Sequence, residues 1–145
     1  MYTIGQVSQQ FNISVSTLRY YDKEGLLPQL KRVSGIRYFS EKDLEALRVI
    51  ECLKRSGLEI KTICQFMKWC ELGNETLPKR KELFEKQKRV VEEEMKQLQK
   101  VYEMISYKCW YYGESVKLGS EEYVTPKIPE GLPIHIKKSY DAAHQ

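Results

Sequence analysis

The sequence predicts a mainly α-helical chain: a helix-turn-helix with a β-hairpin wing, one long helix with a coiled-coil seam, and a short irregular tail. Three observations carry this reading. Up to Gly73, short apolar-periodic segments are broken repeatedly by Gly, Pro, Asn and Ser. From Thr76 to about Tyr112 there is no glycine, and Pro78 sits where a first helical turn tolerates it. The last 33 residues then hold Gly113, Gly119, Gly131, Pro126, Pro129 and Pro133. The expected organisation is a winged helix-turn-helix domain over 1–73, a dimerisation helix over 74–112, and a short C-terminal tail segment over 113–145.

Thr3-Ile4-Gly5-Gln6 is a capping-box start, and Ile4, Val7 and Phe11 share one face of the short helix that follows. That helix ends at Asn12. Ser14 can cap a second one, with Leu18 and Tyr21 inward and Tyr20 outward. Gly25 stops the second helix and Pro28 prevents its resumption. Leu30 to Phe39 carries β-branched and aromatic residues on either side of Ser34-Gly35, a turn dipeptide, and reads as the wing. Ser40 to Asp43 caps a third helix that runs to about Ser56 and stops at Gly57. A fourth spans about Ile60 to Leu72, with Ile60, Ile63, Cys64 and Met67 on one face. Its cap position holds Glu59, which suits the helix dipole but caps less well than Ser or Thr.

The long helix repeats Phe84, Val91, Leu98, Ile105 and Tyr112 every seven residues, and four residues on from the first four come Lys88, Met95, Tyr102 and Cys109. This is a coiled-coil seam, imperfect at Lys88 and flanked by Glu92, Glu93, Glu94, Lys96 and Lys100. At roughly 35 residues the helix is about 50 Å long, too long to be covered by its own small domain, so a homodimer is expected.

Composition narrows the function. With 24 Lys+Arg against 20 Asp+Glu the net charge is +4, mildly basic and not decisive alone. The chain has no apolar run long enough to span a membrane, and its start lacks the basic-then-apolar order of a secretory signal, so a cytoplasmic protein is expected. The four cysteines form no CxxC pair and read as reduced thiols, and the two histidines both lie in the tail. No metal site and no cofactor is expected. Between Ile13 and Ser40 there are five cations (Arg19, Lys23, Lys31, Arg32, Arg37) against two anions, interleaved with Tyr20, Tyr21, Tyr38 and Phe39. A charge run is ordinarily a solvated face, but one that covers both a second helix and its wing points to phosphate contacts.

At Ser16-Thr17-Leu18-Arg19-Tyr20-Tyr21-Asp22, Gly25-Leu26-Leu27 and Gly35-Ile36-Arg37-Tyr38-Phe39, the sequence resembles the MerR family of bacterial transcription regulators. The match continues through Asp43-Leu44, Leu47, Ile50, Leu53, Gly57-Leu58 and Ile63, in register over about residues 1–72. The resemblance implies a winged helix-turn-helix, an antiparallel dimerisation helix and an effector region. It implies partners too: promoter DNA bearing an inverted repeat, a second copy of the chain and, indirectly, RNA polymerase. The implied mechanism is activation by bending and untwisting an overlong promoter spacer. Ser16 and Thr17, near the N-terminus of the second helix, are expected at base edges, and Arg19 at guanine or phosphate. Tyr20 and the wing residues Lys31, Arg32, Arg37 and Tyr38 are expected on the backbone, with Arg19 and Arg37 on a solvent-facing basic surface.

The effector is less legible. Metal- and cluster-sensing members of the family carry cysteines just beyond the long helix, where this chain has only Cys109, and a tail of 33 residues cannot supply a large drug-binding domain. Cys52 occupies the position of the lone sensor thiol in the AdhR- and NmlR-like aldehyde- and electrophile-responsive branch. Arg48 at i−4 and Arg55 at i+3 share its face and favour the thiolate, although the nearby helix C-terminus opposes it. The alternative for Cys52 is a buried thiol acting as a small hydrophobe. Cys109-Trp110-Tyr111-Tyr112 is the second candidate, an aromatic cluster for a small ligand, against plain packing of the tail on the long helix. Two further classes compete: an effector-free architectural DNA-binding coiled coil, and a thiol enzyme. The enzyme reading lacks a neighbouring His or a glycine-rich cofactor loop.

Overall fold

A computed structural model describes residues 1–144. The chain divides into two compact units, one ending at Lys88 and the other beginning at Arg89. The first unit opens with strand β1 (Tyr2–Thr3), helix α1 (Ile4–Phe11) and helix α2 (Val15–Lys23). Strands β2 (Lys31–Val33) and β3 (Ile36–Phe39) follow, then helices α3 (Glu41–Arg55) and α4 (Ile60–Leu72). A 3-10 turn at Asn74–Thr76 leads into α5 (Leu77–Leu118).

The capping signals form as the residues require. Thr3 Oγ1 accepts from Gln6 N–H at 3.2 Å, and Gln6 Oε1 accepts from Thr3 N–H at 2.9 Å. Ser40 and Asp43 reciprocate in the same way at the start of α3. Glu59 makes no side-chain cap bond, as its residue type predicts. Asn12 closes α1 in the left-handed region, with φ 54°. The wing turns through Ser34 and Gly35, both at positive φ, which matches the right-handed twist of the strands they join.

Val7, Leu18, Tyr21, Leu26, Phe39, Leu44, Leu47, Ile50 and Ile63 are fully buried and bring α1, α2, α3, α4 and the wing into one core. The sheet has the antiparallel order β1-β3-β2, with Tyr2 opposite Phe39 and Arg32 opposite Arg37. Strand β1 has no counterpart in the sequence reading, because two residues are too few to show a period.

The second unit corrects the expected irregular tail. Helix α5 passes through Gly113 and ends at Leu118, where Gly119 takes φ 82°. A helical glycine costs about 1 kcal/mol relative to alanine. Trp110, Tyr111 and the buried Ser115 around Gly113 are all packed, which carries the helix across it. Beyond two 3-10 turns, helix α6 (Ile134–Ala143) folds back, and Leu132 and Ile136 bury against Tyr107 with Trp110, Tyr111, Ile128 and Tyr140 around them. Tyr140 meets Tyr107 edge-on at 5.0 Å, and Ser139 Oγ donates to Glu103 Oε2 at 2.5 Å.

Candidate nucleic-acid interface

Helix α2 presents its polar face at its N-terminus. Ser14 Oγ accepts from Thr17 N–H at 3.1 Å and donates to Thr17 Oγ1 at 2.7 Å, with Ser16 Oγ 3.1 Å away. Ser16 and Arg19 are exposed and Thr17 half-buried. The two adjacent tyrosines take the opposite orientations that helical spacing requires: Tyr20 is 46% exposed and Tyr21 1%. Tyr21 Oη donates to Glu51 Oε1 and accepts from Lys54 Nζ, each at 2.7 Å, which ties α2 to α3. Burial, and then the bond to Glu51, push the Tyr21 hydroxyl far above its ordinary pKa, so it stays protonated.

The wing is held to α2 through one carboxylate. Asp22 Oδ2 accepts from Arg32 Nη2 at 2.5 Å and from Arg37 Nε at 2.8 Å. Burial raises the Asp22 pKa, but the two arginines outweigh it and hold the carboxyl below its usual range. The expectation of a solvent-facing Arg37 is therefore corrected: its side chain is 20% exposed and partnered, while Arg32 keeps 54% and Lys31 is exposed. Tyr38 is half-buried, paired across the sheet with Lys31 and Thr3. Asp22 is the residue that sequence reasoning missed as a functional group. Its two partners lie 10 and 15 residues on, beyond any local spacing rule.

Cys52 is exposed near the end of α3, so it is not the buried small hydrophobe of the alternative reading. The Arg48 guanidinium, expected to support it, is shared: Nη1 donates to Glu45 Oε2 at 2.6 Å, and the group lies 5.7 Å from the Phe11 ring centroid. Arg48 and Arg55 line an open cleft with Gln10, Phe11 and Glu51. Cys64 Sγ donates to the Glu24 carbonyl at 3.3 Å, and burial followed by Glu24 raises its thiol pKa. Cys70 and Cys109 are exposed. In the run Cys109 to Tyr112, Trp110 and Tyr111 pack into the tail core, the exposed Tyr112 meets the Tyr111 ring edge-on at 5.0 Å, and Cys109 is exposed.

The seam residues Met95, Leu98, Tyr102, Ile105 and Tyr112 are each more than half exposed, and Val91 is half-buried. Phe84 differs, meeting Phe66 of α4 edge-on at 5.4 Å. The tail packs on Glu103, Tyr107, Trp110 and Tyr111, which lie on the opposite side of the helix from Leu98, Tyr102 and Ile105. Among the described residues, no helix is long and apolar enough to cross a membrane.

Residues 2–68 match the pattern of the MerR HTH family of regulatory proteins. The chain is 38% identical over 131 residues to an uncharacterised HTH-type transcriptional regulator of Haemophilus influenzae, covering 89% of this chain and 97% of that one. It is 35% identical over 91 residues to the HTH-type transcriptional regulator AdhR of Bacillus subtilis, covering 61% of this chain and 65% of AdhR. The crystal structure of HiNmlR, a MerR family regulator lacking the sensor domain and bound to promoter DNA, superposes with a TM-score of 0.68. Its identity is 36%, with 84% of this chain and 98% of that one covered. With the wing tied to α2 through Asp22, and with the Haemophilus influenzae regulator and HiNmlR matched over nearly their whole length, the chain belongs to the MerR family of HTH transcription regulators.

Proposed function

We propose that this regulator binds inverted-repeat promoter DNA as a homodimer and activates transcription by distorting the spacer, so that RNA polymerase is engaged indirectly. The observation that carries this reading is the Asp22 tie, which fastens the wing, with its exposed Lys31 and Arg32, to α2, with its exposed Ser16, Arg19 and Tyr20. Residues 1–73 read the DNA, 74–112 join two copies in an antiparallel coiled coil, and 113–145 form the tail. The work is done in the cytoplasm. Ser16 and Thr17 face base edges, while Arg19, Tyr20, Lys31, Arg32 and Tyr38 hold the backbone. Arg37 reaches DNA only with the guanidinium nitrogens that Asp22 leaves free. The seam of Val91, Met95, Leu98, Tyr102, Ile105 and Tyr112 is supported by its exposure on the face away from the tail.

Arg19→Ala tests the surface directly. It should weaken binding to the DNA upstream of the protein's own gene without altering the thermal transition, and lower the slope of log affinity against log salt by about one. An unchanged slope would mean that α2 does not face the phosphates.

Cys52 is the proposed effector site, modified by aldehydes or other electrophiles at its exposed thiol. Thiolate is the reacting species, so Cys52 should label faster than Cys64 at about pH 7, since burial holds the Cys64 thiol protonated. Cys52→Ser should keep DNA binding and lose the response of promoter output to a reactive aldehyde. A retained response would shift the proposal to a small ligand sensed by the aromatic C-terminal segment.

A further inference from the structure

Two helices of the reading head end against the start of α5, and each receives a side-chain donor from it. The last carbonyls of a helix have no partner within the helix, so a donor supplied from outside fixes the place and direction of that end. At the end of α3, Gln87 Nε2 donates to the Ser56 carbonyl at 2.7 Å. At the end of α4, Arg80 Nη2 donates to the Gly73 carbonyl at 2.7 Å, and Arg80 Nε donates to Thr76 Oγ1 at 3.1 Å. The buried Thr76 Oγ1 in turn lies 2.6 and 2.8 Å from the Trp69 and Gly73 carbonyls, which share its single proton. Arg80 and Gln87 are seven residues apart, hence on one face of α5, with the Phe84–Phe66 contact between them.

Gly57 makes room for the first of these bonds. Its φ is +94°, and a Cβ there would stand 2.9 Å from Gln87 Nε2. The residue after Ser56 therefore cannot carry a side chain without displacing the amide.

We propose that Gln87, with Arg80 as its second anchor, is a spacing-determining residue: it fixes the direction of the reading head on α5 and thereby sets which separation of two half-sites the dimer accepts. Neither residue needs to touch DNA for this. A head rigidly mounted on the dimerisation helix reaches only one separation and one rotational phase, whereas a loosened head reaches its neighbours too. The proposal rests on the reading above, in which α5 joins two copies on an inverted repeat.

The test is selection by the full-length protein from a random-sequence duplex library, followed by binding to the recovered sites with their spacers lengthened or shortened by one base pair. Wild type should recover two inverted half-sites at one separation. Gln87→Met keeps the side chain's bulk and removes its donor. It should recover the same half-site sequence over a spread of separations, with discrimination against the altered spacers reduced by about fivefold for each protomer's lost hydrogen bond. Gln87→Lys restores a donor and should sharpen the distribution again, while Arg80→Met should broaden it in the same direction. A wild-type-sharp spacing in both Met variants overturns the proposal, and so does an altered half-site sequence, which would mean a damaged head rather than a loosened one. If wild type itself recovers only unpaired half-sites, the dimeric reading falls, and this inference with it.

Discussion

Leu98→Lys combined with Ile105→Lys will give a monomer by light scattering, with promoter affinity reduced by about 10²- to 10⁴-fold. That is the general scale of the gain when a second binding event becomes intramolecular. Both residues are more than half exposed in the single chain, so their replacement removes little packing within it. The cost falls on the association, where two layers of ammonium groups would have to lose their water. Cys109, four residues beyond Ile105 on the same face, supplies an internal check. Thiol reagents should reach it slowly in the wild-type dimer and quickly in the double variant. A dimer that survives both lysines would remove the seam assignment.

The second large effect is expected at Asp22. Asp22→Asn removes an anion from a basic surface, and by Coulomb's law alone it should tighten binding to any DNA. The geometry requires the opposite for the specific site: without the carboxylate, Arg32 and Arg37 are released and the wing is no longer aligned with α2. Specific affinity should fall by about tenfold, the scale of a lost charge-assisted hydrogen bond, while affinity for unrelated DNA is kept or rises. The pH dependence has a definite sign. Because the folded-state pKa of Asp22 lies below its ordinary value of 3.8, its contribution to stability is fully present above that value. It is lost as pH falls through the folded-state pKa. An acid titration of stability should show this loss in wild type and lack it in the Asn variant. Parallel titration curves, or equal falls in specific and non-specific affinity, would deny Asp22 its aligning role.

What the sequence revealed depended on the range of the signal. Helix α4 was legible to the residue, Ile60–Leu72, because an apolar period ran from a charged entry to a glycine exit. The other helices of the first unit and its wing follow the same local punctuation, and β1 does not. The end of α5 is not legible locally, because Gly113 and Gly119 look alike in isolation. Only packing around Tyr107, Trp110 and Tyr111 distinguishes a tolerated glycine from a terminating one. Helix α6 was obscured by the Gly131 and Pro133 that precede it. In the interface, Tyr20 and Tyr21 were separable by helical phase, and the structure orients them that way. The pairings of Asp22 with Arg37, and of Gln87 with Ser56, join residues that no periodicity links. Arg37 accordingly read as free when it is bound.

The placement of α6 has an evolutionary consequence. Because Glu103, Tyr107, Trp110 and Tyr111 hold the tail on one side of α5 while Leu98, Tyr102 and Ile105 occupy the other, the two sides can drift under separate selection. Residues 113–144 can be shortened, exchanged or recombined with another module without altering a side chain assigned to pairing or to DNA. A lineage built this way can vary its tail while inheriting an unchanged DNA-reading unit.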